Sequence, residues 1–424
     1  MKEERSNRRH RWKVLGTGVL ANAVFSAAFQ GLPTTAIFMR TGYEISTGEV
    51  GVIIGLMGLG IAISELPWGI LTDRWGDRLV LLMGLAGILT TFLILSAFLT
   101  PDGKTIPSYT LVGISMFFLG ALGGSINGSS GRAISFWFDD KERGLAMSIR
   151  QTAVPLGGGL GAIFLPVLAT KYGFAEVFGA LAAGAGAALY LAWLWVYDPA
   201  VSLNPARIDT KNKNVIRLEN PLKDLQTWKI AVAIGVLCGP QFAILTFGSI
   251  FFHDVFGAGI MFIGIAFMII QIGAIVSRIW SGMWTDKHGN RKQYLRYCSF
   301  ISASLFCVTA IICAISESAH YNANDILIYM APCFVITGIV VSAWHGVAFA
   351  ELISVSGKQK SGTALGMANS CVFAFYFIVP SSIPLILSAS SWSIVWFVSA
   401  LLCIVAVLLL PRYSPIENRL CEQT

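Results

Sequence analysis

Long apolar runs recur twelve times along this chain of 424 residues, each near or beyond the roughly 20 residues a helix needs to cross a bilayer. They lie near 14–38, 47–72, 79–99, 109–138, 144–169, 174–197, 229–253, 258–284, 294–315, 326–352, 361–387 and 391–411. Only 12% of the residues are charged, against about 25% in soluble domains, and they are confined to short islands between the runs. The 43 glycines suit helices that approach closely in lipid. The expected fold class is an all-α membrane protein with twelve transmembrane helices. The formal net charge of +7 is spread over the loops, where it orients a membrane protein. It gives no argument for nucleic acid as a partner.

The one long polar stretch, Asp198 to Trp228, carries Lys211, Lys213, Arg217 and Lys223. It divides the chain into an N-terminal six-helix bundle over 1–197, a cytoplasmic linker over 198–228 and a C-terminal six-helix bundle over 229–424. Orientation follows from the 30 lysines and arginines. With the N-terminus inside, Arg40, Lys104 and Lys171 fall outside, and Arg132, Arg150 and Arg278 fall within helices. All the others lie on cytoplasmic segments. Both termini are therefore expected to be cytoplasmic, in a multi-pass protein of the cell's inner membrane. The start, MKEERSNRRHRWK followed by an apolar run from Val14, imitates a signal peptide but reads as an uncleaved first helix. The eight cysteines show neither C-x-x-C nor histidine-paired spacing, so neither a disulfide framework nor a metal site is expected.

The two halves repeat each other. ISELPWGILTDRWGDR at the end of the second run and VSRIWSGMWTDKHGNR at the end of the eighth share Ser64/Ser277, Gly69/Gly282, Thr72/Thr285, Asp73/Asp286, Gly76/Gly289 and Arg78/Arg291, an offset of 213. A second register, offset 218, pairs Gly128 with Gly346 and Gly144 with Gly362. A duplicated six-helix unit is the architecture of alternating-access transporters, whose site lies between the halves near the midplane.

On these residues the chain resembles the major facilitator superfamily. The signature G-x-L-x-D-R-x-G-x-R of its second loop stands intact as Gly69, Leu71, Asp73, Arg74, Gly76 and Arg78. The second half has a degenerate copy, with Trp284 for the leucine and Lys287 for the first arginine. The resemblance implies that these charges form pairs that hold the outward-facing state closed on the cytoplasmic side. The drug-antiporter motif of the fifth helix is one residue short here, at Val154-Pro155-Leu156 before Gly157, Gly158 and Gly159. The arginine that opens the fourth-helix motif of those antiporters is absent, with Phe117 and Phe118 before Leu119. The turn SFWFDDKERGLAMSIRQTAVPLGGG is loosely more similar to that of organic-anion symporters.

Charges within a span cost at least about 2.5–3.5 kcal/mol each, so they need a partner, a cavity or a function. Arg150, with Gln151 beside it, reads either as a bidentate holder of an anionic substrate or as part of a gate with Asp139, Asp140 and Glu142. For Arg132 the gate reading is preferred. Glu65 and its repeat equivalent Arg278 carry opposite charges at matched sites. Glu65 reads as a proton-coupling carboxylate or as a latch that pairs with Arg150 or Arg278 in one state. Glu351 is assigned to the gate with Gly69, Asp73, Arg74, Arg78, Arg132, Arg278, Asp286 and Arg291. His345 matches Asn127 and reads as a proton acceptor or a neutral packing residue. Asn22, Gln30, Gln241, Gln271 and Asn369 are positioned to line a central cavity with Arg150, Gln151 and His345. Pro67, Pro155, Pro166, Pro240 and Pro380 are candidate kinks.

No P-loop, Ser/His/Asp set or metal-spaced cluster is present, so no cofactor and no enzymatic activity are expected. The reading is a monomeric secondary transporter that moves a small solute, an organic anion, with protons or another cation, by alternating access. Two alternatives stand beside it: an efflux exporter of a metabolite, drug or siderophore, and a transporter-like membrane sensor or scaffold.

Overall fold

The computed structural model describes residues 2–101, 105–197, 220–317 and 323–411. Most of the expected linker, 198–219, lies outside the described residues, as does Cys421. The described chain is helical with no strand. Its helices are α1 (Lys2–Gly31), α2 (Ala36–Gly42), α3 (Thr47–Trp75), α4 (Asp77–Phe98), α5 (Tyr109–Trp137), α6 (Asp140–Gln151), α7 (Ala153–Lys171), α8 (Phe174–Trp195), α9 (Leu225–Phe256), α10 (Ile260–His288), α11 (Arg291–Glu317), α12 (Ala323–Val340), α13 (His345–Ser356), α14 (Ser361–Ala389) and α15 (Trp392–Leu409). They form twelve spans, because α1–α2, α6–α7 and α12–α13 each continue as one. The molecule is a multi-pass membrane protein.

Two spans are broken near their middle, each for its own reason. At Thr152 the break follows from Pro155, whose ring nitrogen has no hydrogen for the carbonyl four residues back, Gln151. The α12–α13 break, 341–344, contains no proline or glycine. Here Ser342 and Ala343 turn back to the carbonyls of Ile339 and Val340, three residues away, and the chain tightens into a turn. Both breaks leave a carbonyl oxygen open within a span, and the same side chain reaches both.

Each set of six spans buries an apolar cluster, and that of the second set also takes in Ile134, Phe138, Ala146 and Met147 of the first. In the second set, Phe251, Phe252, Phe334 and Trp396 make ring contacts at 5.0–5.7 Å. In the first, α3 and α5 touch backbone to backbone. A Cβ on Gly120 would fall 1.9 Å from the Met57 carbonyl oxygen, and one on Gly60 would fall 2.2 Å from that of Phe117. Gly120→Val is therefore expected to lower the thermal midpoint in detergent by several degrees, the effect of about 1–3 kcal/mol of overpacking or more. Gly55→Ala, which meets nothing within 4 Å, should leave it unchanged, and a dye-based thermal scan of both variants checks this.

Contacts at the span ends define one side of the molecule. His10 Nε2 lies 2.8 Å from the Trp195 carbonyl oxygen, and Arg296 Nη1 donates to Val407 O and Leu410 O. The chain start, the ends flanking the 198–219 segment and the end of α15 share this linker side.

Candidate functional site

A polar layer lies between the two sets of spans, about ten residues inward from the linker-side helix ends. Glu65 on α3 is fully buried. Its Oε1 accepts from Asn127 Nδ2 on α5 at 2.7 Å, and its Oε2 accepts from Asn369 Nδ2 on α14 at 3.2 Å. Arg150 on α6 is also buried, and its guanidinium donates to Ser130 Oγ (3.0 Å), Asn127 O (2.8 Å), Asn127 Oδ1 (3.2 Å) and Asn22 Oδ1 (3.5 Å). Asn127 thus stands between the acid and the arginine with both ends of its amide committed.

Across the layer, Arg278 on α10 is buried and closes the two helix breaks. Its Nη1 donates to Gln151 O at 2.6 Å, the carbonyl that Pro155 leaves open, and its Nε donates to Ser342 O at 3.1 Å. Its Nη2 lies 3.5 Å from His345 Nε2, and His345 Nδ1 lies 3.1 Å from Ser342 O. Both histidine contacts are satisfied with the proton on Nδ1 and the Nε2 lone pair facing the guanidinium. The ring stacks on Trp344 at 3.9 Å.

The two clusters are copies of one arrangement. An offset of 213 takes Glu65 to Arg278, and an offset of 218 takes Asn127 to His345 and Gln151 to Asn369. Each half sends a charge from its second span to a polar residue of its own fourth span and, across the interface, to the fifth span of the other half. Among the described residues neither Arg150 nor Arg278 has a carboxylate within 4.0 Å, although Glu65 lies in electrostatic reach of Arg150.

Nearer the linker side, two aspartates bind backbone N–H groups near the start of helices of the opposite half, Asp73 in the first turn of α14 and Asp286 in the second turn of α6. Asp73 accepts from the backbone N–H of Gly362 (2.9 Å) and Thr363 (2.8 Å) and from Thr363 Oγ1 (2.6 Å). Asp286 accepts from Gly144 N (3.0 Å) and Leu145 N (2.7 Å). At α14 the acid satisfies open first-turn donors, and each acid lies near the positive end of a helix dipole. Gly69 permits the approach, since a Cβ there would fall 2.4 Å from Gly362 O. Arg291 pairs with Asp286 (2.8 Å) and with Asp140 of the other half (3.1 Å), and Ser354 Oγ donates to Asp140 at 2.9 Å. Beyond the polar layer, away from the linker, the halves touch through Phe29 with Phe373 (5.8 Å) and Tyr376 (5.2 Å).

The expected gate residues do not all lie together. Arg278 stands level with Glu65, deeper than the gate assigned to it. Arg78 donates to Trp193 O within its own half, and Arg74 is exposed. Arg132 pairs with Asp77 (2.6 Å) and Asp73 (3.4 Å), not with Asp139, Asp140 or Glu142. Glu351 is buried on α13. Of the expected cavity residues, Gln30 donates to Ser26 Oγ (2.8 Å), and Gln241 is buried with its Oε1 unpartnered. Gln271 is half-buried two turns from Arg278 on the side away from the linker. Asp77 is not among the expected gate residues, because its repeat position is Asn290 and the duplication carries no signal there.

Residues 18–316 match the family model of the Major Facilitator Superfamily. The chain belongs to that superfamily and is a transporter, not an enzyme. It is 27% identical over 386 residues to an uncharacterized MFS-type transporter of Mycobacterium tuberculosis, covering 89% of this chain and 80% of the relative. A probable galactarate/D-glucarate transporter of Bacillus subtilis is 21% identical over 387 residues, 85% of this chain and 82% of the relative. Among solved structures, a double-tryptophan mutant of XylE superposes with a TM-score of 0.75 at 15% identity, covering 96% of this chain and 97% of that one.

Proposed function

We propose that the protein is a secondary transporter of a small organic anion, coupled to protons and working by alternating access between two six-helix halves. The observation that carries this reading is the charge balance of the polar layer: two buried arginines, Arg150 and Arg278, face one buried carboxylate, Glu65. An excess positive charge in a low-dielectric interior is costly, and a bound anion offsets it. The sugar-diacid role named for the Bacillus relative supports the same class of solute. Glu65 is the proposed proton carrier, being the carboxylate that the described residues place in the layer. Lysines and arginines concentrated at the linker side support a cytoplasmic placement of that side in the inner membrane. With its cross-half hydrogen bonds and ion pairs gathered there, and only the Phe29 ring contacts on the far side, this conformer is read as closed to the cytoplasm.

The test is flux into proteoliposomes offered carboxylates, phosphates, sugars and cationic drugs, with and without an inward acid gradient. Gradient-driven accumulation of an anion is expected, falling at least tenfold in Arg150→Ala. Movement only of cationic or neutral drugs, unchanged in that variant, would replace this reading by efflux. Saturable binding without flux would favour a sensor.

A further inference from the structure

We infer that Asn369 is a positioning residue that makes the closure between the halves depend on the proton at Glu65, while the repeat-related contact of Arg278 holds its side of the interface regardless of pH. This deepens the proposed function and rests on its assignment of Glu65 as proton carrier.

The argument is one of donors and acceptors. An ionised carboxylate only accepts, and Glu65 meets two amide N–H donors, one at each oxygen. Asn127 cannot turn its amide over, because its Oδ1 accepts from Arg150 at 3.2 Å. Its NH2 must stay toward Glu65 Oε1, so a proton arriving at Glu65 goes to Oε2, the oxygen that faces Asn369 across the interface. The carboxyl O–H then opposes an N–H donor. Either the contact is lost, or Asn369 turns and a charge-assisted bond becomes a neutral one, about half as strong. Protonation thus weakens the cross-half bond and spares the bond within the half.

The charged group facing Glu65 is Arg150 on α6. From α5 it meets Asn127 and from α14 it meets Asn369. The helix α14 carries no charged residue. Asp73, Asp77 and Arg132 lie about two turns nearer the linker side. On the other seam, Arg278 keeps its charge and donates to the carbonyl of Gln151, which does not titrate, and the titratable group facing it, His345, bonds only within its own half. That seam also carries the Arg291–Asp140 pair. The α3–α14 seam is therefore the one that a proton at Glu65 weakens, with Asp73 keeping its three bonds to Gly362 and Thr363 nearer the linker side.

Pairs of spin labels on exposed residues of a cysteine-free full-length protein in nanodiscs, with no solute added, test this. Labels at Arg74 and Gln359 report the α3–α14 seam; labels at Lys141 and Lys287 report the α6–α10 seam. Between about pH 8 and pH 5 the ratio of long to short 74–359 distances should rise on the order of tenfold, as expected for losing one charge-assisted bond, while the 141–287 distances change far less. Asn369→Ala should give long distances already at pH 8. Asn369→Asp should reverse the sign, since two facing carboxylates repel when ionised and share a proton when acidified. A pH-independent 74–359 distance, or an Asn369→Ala protein with the native pH response, overturns the inference. Because no solute is present, failure of anion flux would remove the proposed function and leave this result standing, and the converse holds.

Discussion

Glu65→Gln is expected to move the anion but not to accumulate it. In the side-chain pattern of the layer, Asn127 presents N–H to position 65, so a glutamine there turns its carbonyl to Asn127 and its NH2 to Asn369. That is the hydrogen-bonding face of the protonated acid, fixed permanently. A carrier coupled to one proton per solute converts each pH unit, about 1.4 kcal/mol, into a tenfold concentration ratio. Under an inward gradient of about two units, the native protein should approach a hundredfold accumulation, and the variant should stop at equality. Exchange of labelled for unlabelled solute should persist in the variant, because exchange needs no net proton movement. Time courses of uptake and counterflow in the same vesicles separate the two. Accumulation undiminished in the variant would move the proton site away from Glu65.

Much of this layer is legible in the sequence once the halves are aligned, and the illegible part has a common cause. Twelve runs, the duplicated loop motif and the opposed charges of Glu65 and Arg278 all follow from local pattern. The α6–α7 break is announced by Pro155. The α12–α13 break is not, because nothing in Val341-Ser342-Ala343-Trp344 disfavours a helix; it forms where Arg278, from another span, takes the Ser342 carbonyl. The sequence puts Arg278 among the gate residues because the arginine alone does not show its depth, which is set by which carbonyls are free. Asn369 and Gln151 read as cavity-lining groups in the sequence. Their cross-half partners follow from packing, where the elements related by the two different offsets, 213 and 218, meet at one interface. The aspartate contacts are partly legible, since Asp73 and Asp286 lie near the ends of their helices. That each reaches the start of a helix of the opposite half is a fact of packing alone.

Arg278→Met is expected to be the most destabilising single change in the layer, and Pro155→Ala is expected to repair much of it. Methionine fills similar volume but removes the donors to Gln151 O and Ser342 O. Each such bond from a charged donor is worth about 1.5–3 kcal/mol, and the carbonyls left behind are buried. Several degrees of thermal midpoint should be lost in a detergent melt, with Arg278→Lys intermediate, because one ammonium cannot span two carbonyls as the guanidinium fork does. Alanine at 155 restores an N–H four residues after Gln151, so the helix supplies the donor that arginine had supplied. The double variant should therefore recover on the order of 1–2 kcal/mol relative to additivity. Anion flux should not recover with it, because the layer would then hold one arginine against one carboxylate and no excess positive charge. A double variant as unstable as the sum of its parts would show that the proline's open carbonyl is not what Arg278 answers. One that is stable and still carries the anion would separate the charge of Arg278 from recognition of the solute.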